Sequence, residues 1–207
     1  MSILNVWISP ERALIASDSE AAAVDGPGAR VSKFFTIPHL DVVIGHRGCA
    51  QYFCFMASVL QMLSLARDIE TILDTLPAYL SPMIEQTKLA MTTHYGWKKI
   101  DTDLVDGESL VVVGWSHKQG RMVAREFTQM TLAEGFVVRD IDPCYISPYD
   151  ESINQGEYPE NATSMEKLVR AQVRLIKDKE PKAAAGGNLM LCQLRRGSVQ
   201  IVRGCEL

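Results

Sequence analysis

Short apolar runs bounded by turn signals come in groups along this chain, and longer stretches with helical spacing separate the groups. That order constrains the fold more than any single motif. Residues 3–8, ILNVWI, end at Ser9-Pro10, and residues 12–18, RALIASD, follow. The two runs predict a β-hairpin at the start of the chain. AVDGPGAR, rich in Gly, Pro and Asp, reads as a loop over 23–30. SKFFTI and LDVVIG form a second strand pair around Pro38-His39.

From Cys49 the period changes. Cys49, Tyr52, Phe53, Met56, Val59, Leu60 and Leu63 recur at helical spacing. Met56, Met62 and the neighbouring Phe residues are assigned to a core helix. A second helical region covers about 68–95, with Pro77 and Pro82 as breaks or bends. Strands return at 109–115, 121–128 and 135–141, and residues 142–162 read as a loop. Residues 164–179 then form an amphipathic helix, with Met165, Leu168, Val169, Val173 and Ile176 on one face. Ser164 or Thr163 is placed to cap it. Two strands around Arg196-Gly197 close the chain.

Strands, two helices, strands, one helix, strands: this order argues an α+β fold rather than alternating βαβ units. The 207 residues are enough for one sizeable core, and no linker or repeat divides 1–207, so one domain is expected. With 47% hydrophobic and 22% charged residues the composition is that of a soluble globular chain. A net charge of -4 with no basic block argues against a nucleic-acid partner. No apolar run reaches the roughly 18 residues of a membrane span. The N-terminus lacks a signal-peptide pattern, so a cytoplasmic location is expected. The five cysteines, at 49, 54, 144, 192 and 205, form no CxxC pair, which argues for reduced thiols. The histidines at 39, 46, 94 and 117 show no metal-ligand spacing, and neither metal nor cofactor is expected.

Four positions stand out for chemistry. Ser2 becomes the first residue if Met1 is removed, and it then carries a free amine beside its hydroxyl. Asp18 ends the second strand, Lys33 begins the third, and Gly48 lies between the fourth strand and the first helix. A serine hydroxyl needs a base. An α-amine titrates near ~8 and can serve as one close to neutral pH. A lysine ammonium nearby favours its neutral form, a carboxylate holds that lysine, and a backbone N–H can meet an oxyanion.

In these residues the sequence resembles the proteasome β-subunit type of N-terminal nucleophile (Ntn) hydrolase. Counting from Ser2, Asp18 lies 16 positions on and Gly48 lies 46 on, as in that family. Lys33 lies 31 on, one short of the family's usual interval. The closing AAAGGNLMLCQL is similar to the family's Gly-Gly step into a late strand. The resemblance implies a four-layer αββα sandwich and hydrolysis of amide bonds, with peptides as substrates. It makes Ser2 the nucleophile, its amine the base, Lys33 and Asp18 the groups that tune the amine, and Gly48 the oxyanion donor.

The pattern departs from the family before the Gly-Gly step. The family has an Asp and a Ser there, and this chain has Lys182 and Ala185. Ser147 is the one counterpart for the Ser that supports the amine. Two alternatives therefore stand beside the peptidase: a catalytically inactive assembly or scaffold protein, and a small-molecule amidase. Each marked residue also has an ordinary structural reading. Ser2 is simply a second residue, Asp18 a strand end, Lys33 a solvated edge-strand charge and Gly48 a turn. His46 and Arg47 line the same cleft or sit in an exposed loop. The 49–66 helix is apolar on more than one face, which predicts cover on both sides and hence a homo-oligomer; the resemblance implies a ring.

Overall fold

The computed structural model describes residues 2–21, 28–96, 98, 107–129, 135–153 and 158–207. Met1 and residues 23–27 of the expected loop lie outside the described residues. The protein is α+β with antiparallel sheets. The first half contains strands β1 (Leu4–Ile8), β2 (Arg12–Asp18), β3 (Glu20–Ala21), β4 (Ala29–Arg30), β5 (Phe34–Ile37) and β6 (Val42–Arg47). Helices α1 (Ala50–Leu63), α2 (Ile69–Thr75) and α3 (Pro77–Tyr95) follow. Then come β7 (Ser109–Ser116), β8 (Arg121–Gln129), β9 (Phe136–Asp140) and β10 (Cys144–Ser147). Helix α4 (Ala162–Lys179) and strands β11 (Asn188–Arg195) and β12 (Ser198–Glu206) complete the chain.

One five-stranded sheet has the order β10-β1-β2-β11-β12, and the other has the order β5-β6-β7-β8-β9. The short strands β3 and β4 pair with each other. Ala29 and Arg30, expected in a loop, are thus in a strand. Alternation along the strands distributes their side chains between different apolar zones. Leu4, Val6 and Ile8 of β1 pack with Val43, Val111 and Val113 of the other sheet. Ile3 and Trp7 point the other way, toward Met165, Val169, Val173 and Ile176 of α4. Val42, Ile44, Leu110 and Val112 pack against Met56, Leu60, Ile72 and Leu80 of the helices α1 to α3. Both faces of β1 are therefore covered, and all five of its residues are buried. That is why apolar residues fall on both of its faces instead of alternating with exposed polar ones.

Several local expectations are corrected. β10 lies inside the expected 142–162 loop and pairs with β1 on the side opposite β2, with Ser147 across from Leu4. Asn161, not Ser164 or Thr163, is the N-cap of α4. Its side chain accepts from the Ser164 N–H, and the Ser164 hydroxyl lies back against the Asn161 N–H. Pro77 opens α3, where its missing N–H costs nothing, and Pro82 lies inside a continuous helix. Met56 is in the core as expected, but Met62 is 43% exposed.

A buried amide pair fixes how α4 and β10 dock on β1. Asn5 Nδ2 donates to Gln172 Oε1 at 2.7 Å, and Gln172 Nε2 donates to the Pro148 carbonyl at 2.8 Å. Asn5 Oδ1 accepts from the Ser147 N–H at 3.2 Å. Polar groups sealed between apolar layers need such partners. Among the described residues, no helix is long and apolar enough to cross a membrane.

Candidate active site

The β1–β2 hairpin decides where the chain start goes. Leu4 lies opposite Ser17, so the residues before Leu4 run alongside Asp18. The Ile3 N–H donates to Asp18 Oδ1 at 2.9 Å. Lys33 Nζ donates to the same oxygen at 2.6 Å, and the Gly186 N–H donates to Oδ2 at 3.2 Å. Asp18 is fully buried and Lys33 is 4% exposed, so the reading of Lys33 as a solvated edge charge is overturned. Three N–H donors around one buried carboxylate hold it firmly. Burial pulls the Lys33 pKa down from its usual value, and the Asp18 carboxylate opposes the shift.

The Gly-Gly step packs directly on this pair. The Ser19 and Glu20 N–H groups both donate to the Gly186 carbonyl at 3.2 Å, and the Asn188 N–H donates to Ser19 Oγ at 2.8 Å. Gly187 has φ +74, and a Cβ there would lie 2.7 Å from Ser19 Oγ. Glycine is required on both grounds. Just before the step, Ala185 is fully buried in the α4 core and Lys182 is exposed. Neither brings a polar group to Asp18.

Ser2 is half-buried, and its carbonyl accepts from Arg47 Nε at 3.2 Å. Arg47 and His46 lie on β6 rather than in an exposed loop. His46 stacks on Phe53 at 4.7 Å and is 2% exposed. Its backbone N–H donates to the Lys33 carbonyl at 2.9 Å, which joins the two strands at this point. Gly48 follows with φ +141, a conformation that side chains rarely adopt. The structure therefore brings Ser2, Asp18 and Lys33 to one end of the first sheet. It puts Gly48 one residue beyond Arg47, which holds the Ser2 carbonyl.

A set of residues with no sequence signal completes this end of the molecule. Glu108, fully buried, has Oε2 2.5 Å from His46 Nε2 and accepts from the Cys49 N–H through Oε1 at 2.8 Å. Burial, then the charges of Lys33 and Arg47, push the His46 pKa down to about 3. The imidazole is neutral near pH 7, and its Nε2 shares a hydrogen bond with the Glu108 side chain. The Cys49 thiol is pushed up by burial, so it is not a poised thiolate. Beyond Ser109, Glu126 and Thr128 of β7 and β8 lies Tyr145, whose hydroxyl is 3.2 Å from Ser109 Oγ. Ser147, the counterpart suggested for an amine-supporting Ser, is buried at the end of β10, across from Leu4 and hydrogen-bonded to the Tyr145 side chain. Among the described residues, no three His, Cys, Asp or Glu side chains cluster to hold a metal ion.

No family model and no curated protein sequence matches the chain. Solved structures do match it. Anbu (ancestral beta-subunit) from Yersinia bercovieri superposes with a TM-score of 0.65 at 14% identity, over 98% of this chain and 86% of that one. An Anbu Gly-1 mutant from Hyphomicrobium sp. strain MC1 gives 0.64 at 11% identity, over 98% and 87%. Identities this low establish shared architecture and nothing about activity. Membership of the proteasome β-subunit-like Ntn hydrolase family, as the sequence resemblance implies, is corrected accordingly. What the chain shares with those two Anbu structures is their fold.

Proposed function

We propose that this protein is an amide-bond hydrolase acting on peptides, with Ser2 as nucleophile once Met1 has been removed. One observation carries the reading: a buried Asp18–Lys33 pair hydrogen-bonded to the Ile3 N–H, one residue from Ser2. An ion pair in so dry a place is a poor way to gain stability. It is a good way to present a fixed positive charge to a neighbouring amine. In this mechanism the Ser2 amine takes the hydroxyl proton as Oγ attacks the substrate carbonyl. Gly48 donates its N–H to the oxyanion. The amine then returns the proton to the departing nitrogen, which leaves as a free amine, and water hydrolyses the Ser2 ester. Lys33 keeps the base neutral near pH 7, and Asp18 keeps Lys33 in place.

On the same reading residues 1–207 form one cytoplasmic domain with four αββα layers, and three apolar zones, one between the two sheets and two between a sheet and helices, support that arrangement. The protein assembles with copies of itself, a ring being one closed form. Met62, Leu65 and Leu89, exposed by 43%, 85% and 67% on or beside α1 and α3, support this. A second reading has its own observation. Buried Ala185 and exposed Lys182 stand where the family has Ser and Asp, which favours a silent assembly subunit.

Intact mass of the purified protein and turnover of fluorogenic peptides and small acyl amides test these readings together. We expect a chain starting at Ser2, and roughly a thousandfold or greater loss of turnover in Ser2→Ala. The rate should rise with pH on a limb below ~8, and Lys33→Ala should move any residual limb upward. A retained Met1, or full activity in Ser2→Ala, overturns the proposal. Turnover of small amides alone selects the amidase, and no turnover with Met1 removed selects the silent subunit.

A further inference from the structure

Glu108 occupies the space that a side chain at Gly48 would need. A Cβ on Gly48 would lie 2.1 Å from Glu108 Oε2 and 2.6 Å from its Cδ. The same carboxylate reaches residues on both sides of that glycine, His46 Nε2 at 2.5 Å and the Cys49 N–H at 2.8 Å. It is anchored in turn. The Glu108 carbonyl accepts from the Gln129 N–H at 2.9 Å, and the next residue, Ser109, pairs with Arg47. On the far side, the His46 ring lies flat on Phe53 of α1, with 4° between the planes.

The first turn of α1 supplies a reason for this arrangement. Cys49 is its N-cap, and its side chain makes no capping bond. The first N–H groups of a helix lack partners within the helix and favour a negative neighbour. Glu108 meets that need from the residue just before β7. By doing so it ties the end of β6 to the start of α1 across Gly48, whose φ of +141 is a conformation that side chains rarely adopt.

We infer that Glu108 is the positioning residue for the Gly48 corner: its carboxylate, braced by His46, sets the direction of the Gly48 N–H. The catalytic half of this inference rests on the hydrolase reading above; the structural half does not. Geometry and charge make opposite demands on two substitutions. Glu108→Gln removes the charge and keeps the reach, since its Oε1 can accept from Cys49 while its Nε2 donates to the ring. Glu108→Asp keeps the charge and is one methylene too short to span both partners.

The test uses the full chain with Met1 removed, and counts active sites by the burst of acyl-enzyme so that misfolded protein does not enter the rate. We expect Glu108→Gln to hold kcat and KM within about threefold of the parent. Glu108→Asp should lower kcat by roughly 10- to 100-fold with KM within about threefold, as expected for loss of a donor aligned in the transition state. Amide hydrogen exchange at Cys49 reads the clamp without turnover. The parent and Glu108→Gln should be protected there, and Glu108→Asp should exchange at least about tenfold faster. Retained activity in Asp with loss in Gln makes charge the requirement and overturns the inference, as does an equal effect of both. An unprotected Cys49 amide in the parent overturns it even if Glu108→Asp does not fold. Absence of turnover in the parent defeats the hydrolase reading instead, and the exchange rates then decide the clamp alone.

Discussion

His46 should make the protein sensitive to mild acid, and the sign of that effect separates two pictures of the His46–Glu108 pair. Burial and the nearby Lys33 and Arg47 charges lower the folded pKa from 6.5 to about 3. Above pH 6.5 the ring is neutral in both folded and unfolded chains, so it contributes no pH dependence. As pH falls below 6.5 the unfolded chain takes a proton that the folded chain refuses. Stability then drops by about 1.4 kcal/mol per pH unit until pH approaches 3. Between pH 7.5 and 4.5 this amounts to about 2–3 kcal/mol, a sizeable part of the ~5–15 kcal/mol typical of a folded domain. The assay is urea unfolding at pH 7.5, 6.5, 5.5 and 4.5 for the parent and His46→Gln. The glutamine keeps a donor for Glu108 and cannot titrate, so subtracting the two curves removes the other groups. The parent should lose the extra 2–3 kcal/mol and the variant should not. If His46 were instead a charged partner of Glu108, the parent would gain on the variant as pH fell from 7.5 toward 6.5 and would hold that gain at lower pH. That result, or parallel curves, refutes the neutral-imidazole account.

Gly187 and Gly197 both have φ +74, but only at Gly187 would a Cβ meet a neighbour, Ser19 Oγ at 2.7 Å. Gly197→Ala should cost about 1 kcal/mol from backbone strain alone, and Gly187→Ala about 1–2 kcal/mol more, measured as urea midpoints; equal costs would mean that the Gly-Gly step does not press on the Asp18 loop. Light scattering at micromolar concentration should report a mass of several chains, and a 23.0 kDa particle would leave the apolar outer faces of α1 and α3 without a self-partner.

The legible parts of this molecule are those encoded by near neighbours. The β1–β2 hairpin follows from two apolar runs across Ser9-Pro10, and with it comes the placement of Asp18 beside the chain start. Lys33 was reachable too, because a basic residue opening a strand after a Gly-rich loop stands out against apolar surroundings. Glu108 carried no signal of that sort. It follows VDG, reads as loop, and meets His46 from 62 residues away. β10 was hidden for another reason: CYIS has only four residues between prolines, and it is a strand because β1 offers it an edge. Asn161 gives no clear cap signal in the sequence, because the apolar periodicity of the helix starts only at Met165 and Ser164 and Thr163 are equally good capping residues closer to it. The exposure of Met62 shows the limit of periodicity, which finds an apolar helix but not which of its faces the same chain will cover.

The strand order has a consequence for the sequence in which the molecule can be completed. In the β5-β6-β7-β8-β9 sheet each strand lies beside the next one made, so a chain emerging from the ribosome can finish that sheet at Asp140. The other sheet works to a different timetable. Its first two strands are made at the outset, yet β1 waits for Cys144–Ser147 and β2 waits for Asn188–Arg195. Until then the opening hairpin carries two unpaired edges of buried-type residues, the kind of surface that adds foreign strands. Closing it depends on contacts of long sequence separation, which form slowly. Chains cut short before β11 therefore keep the edge of β2 open, and the same central strands that hold Asp18 in the finished protein are the ones most exposed to aggregation while it is being made.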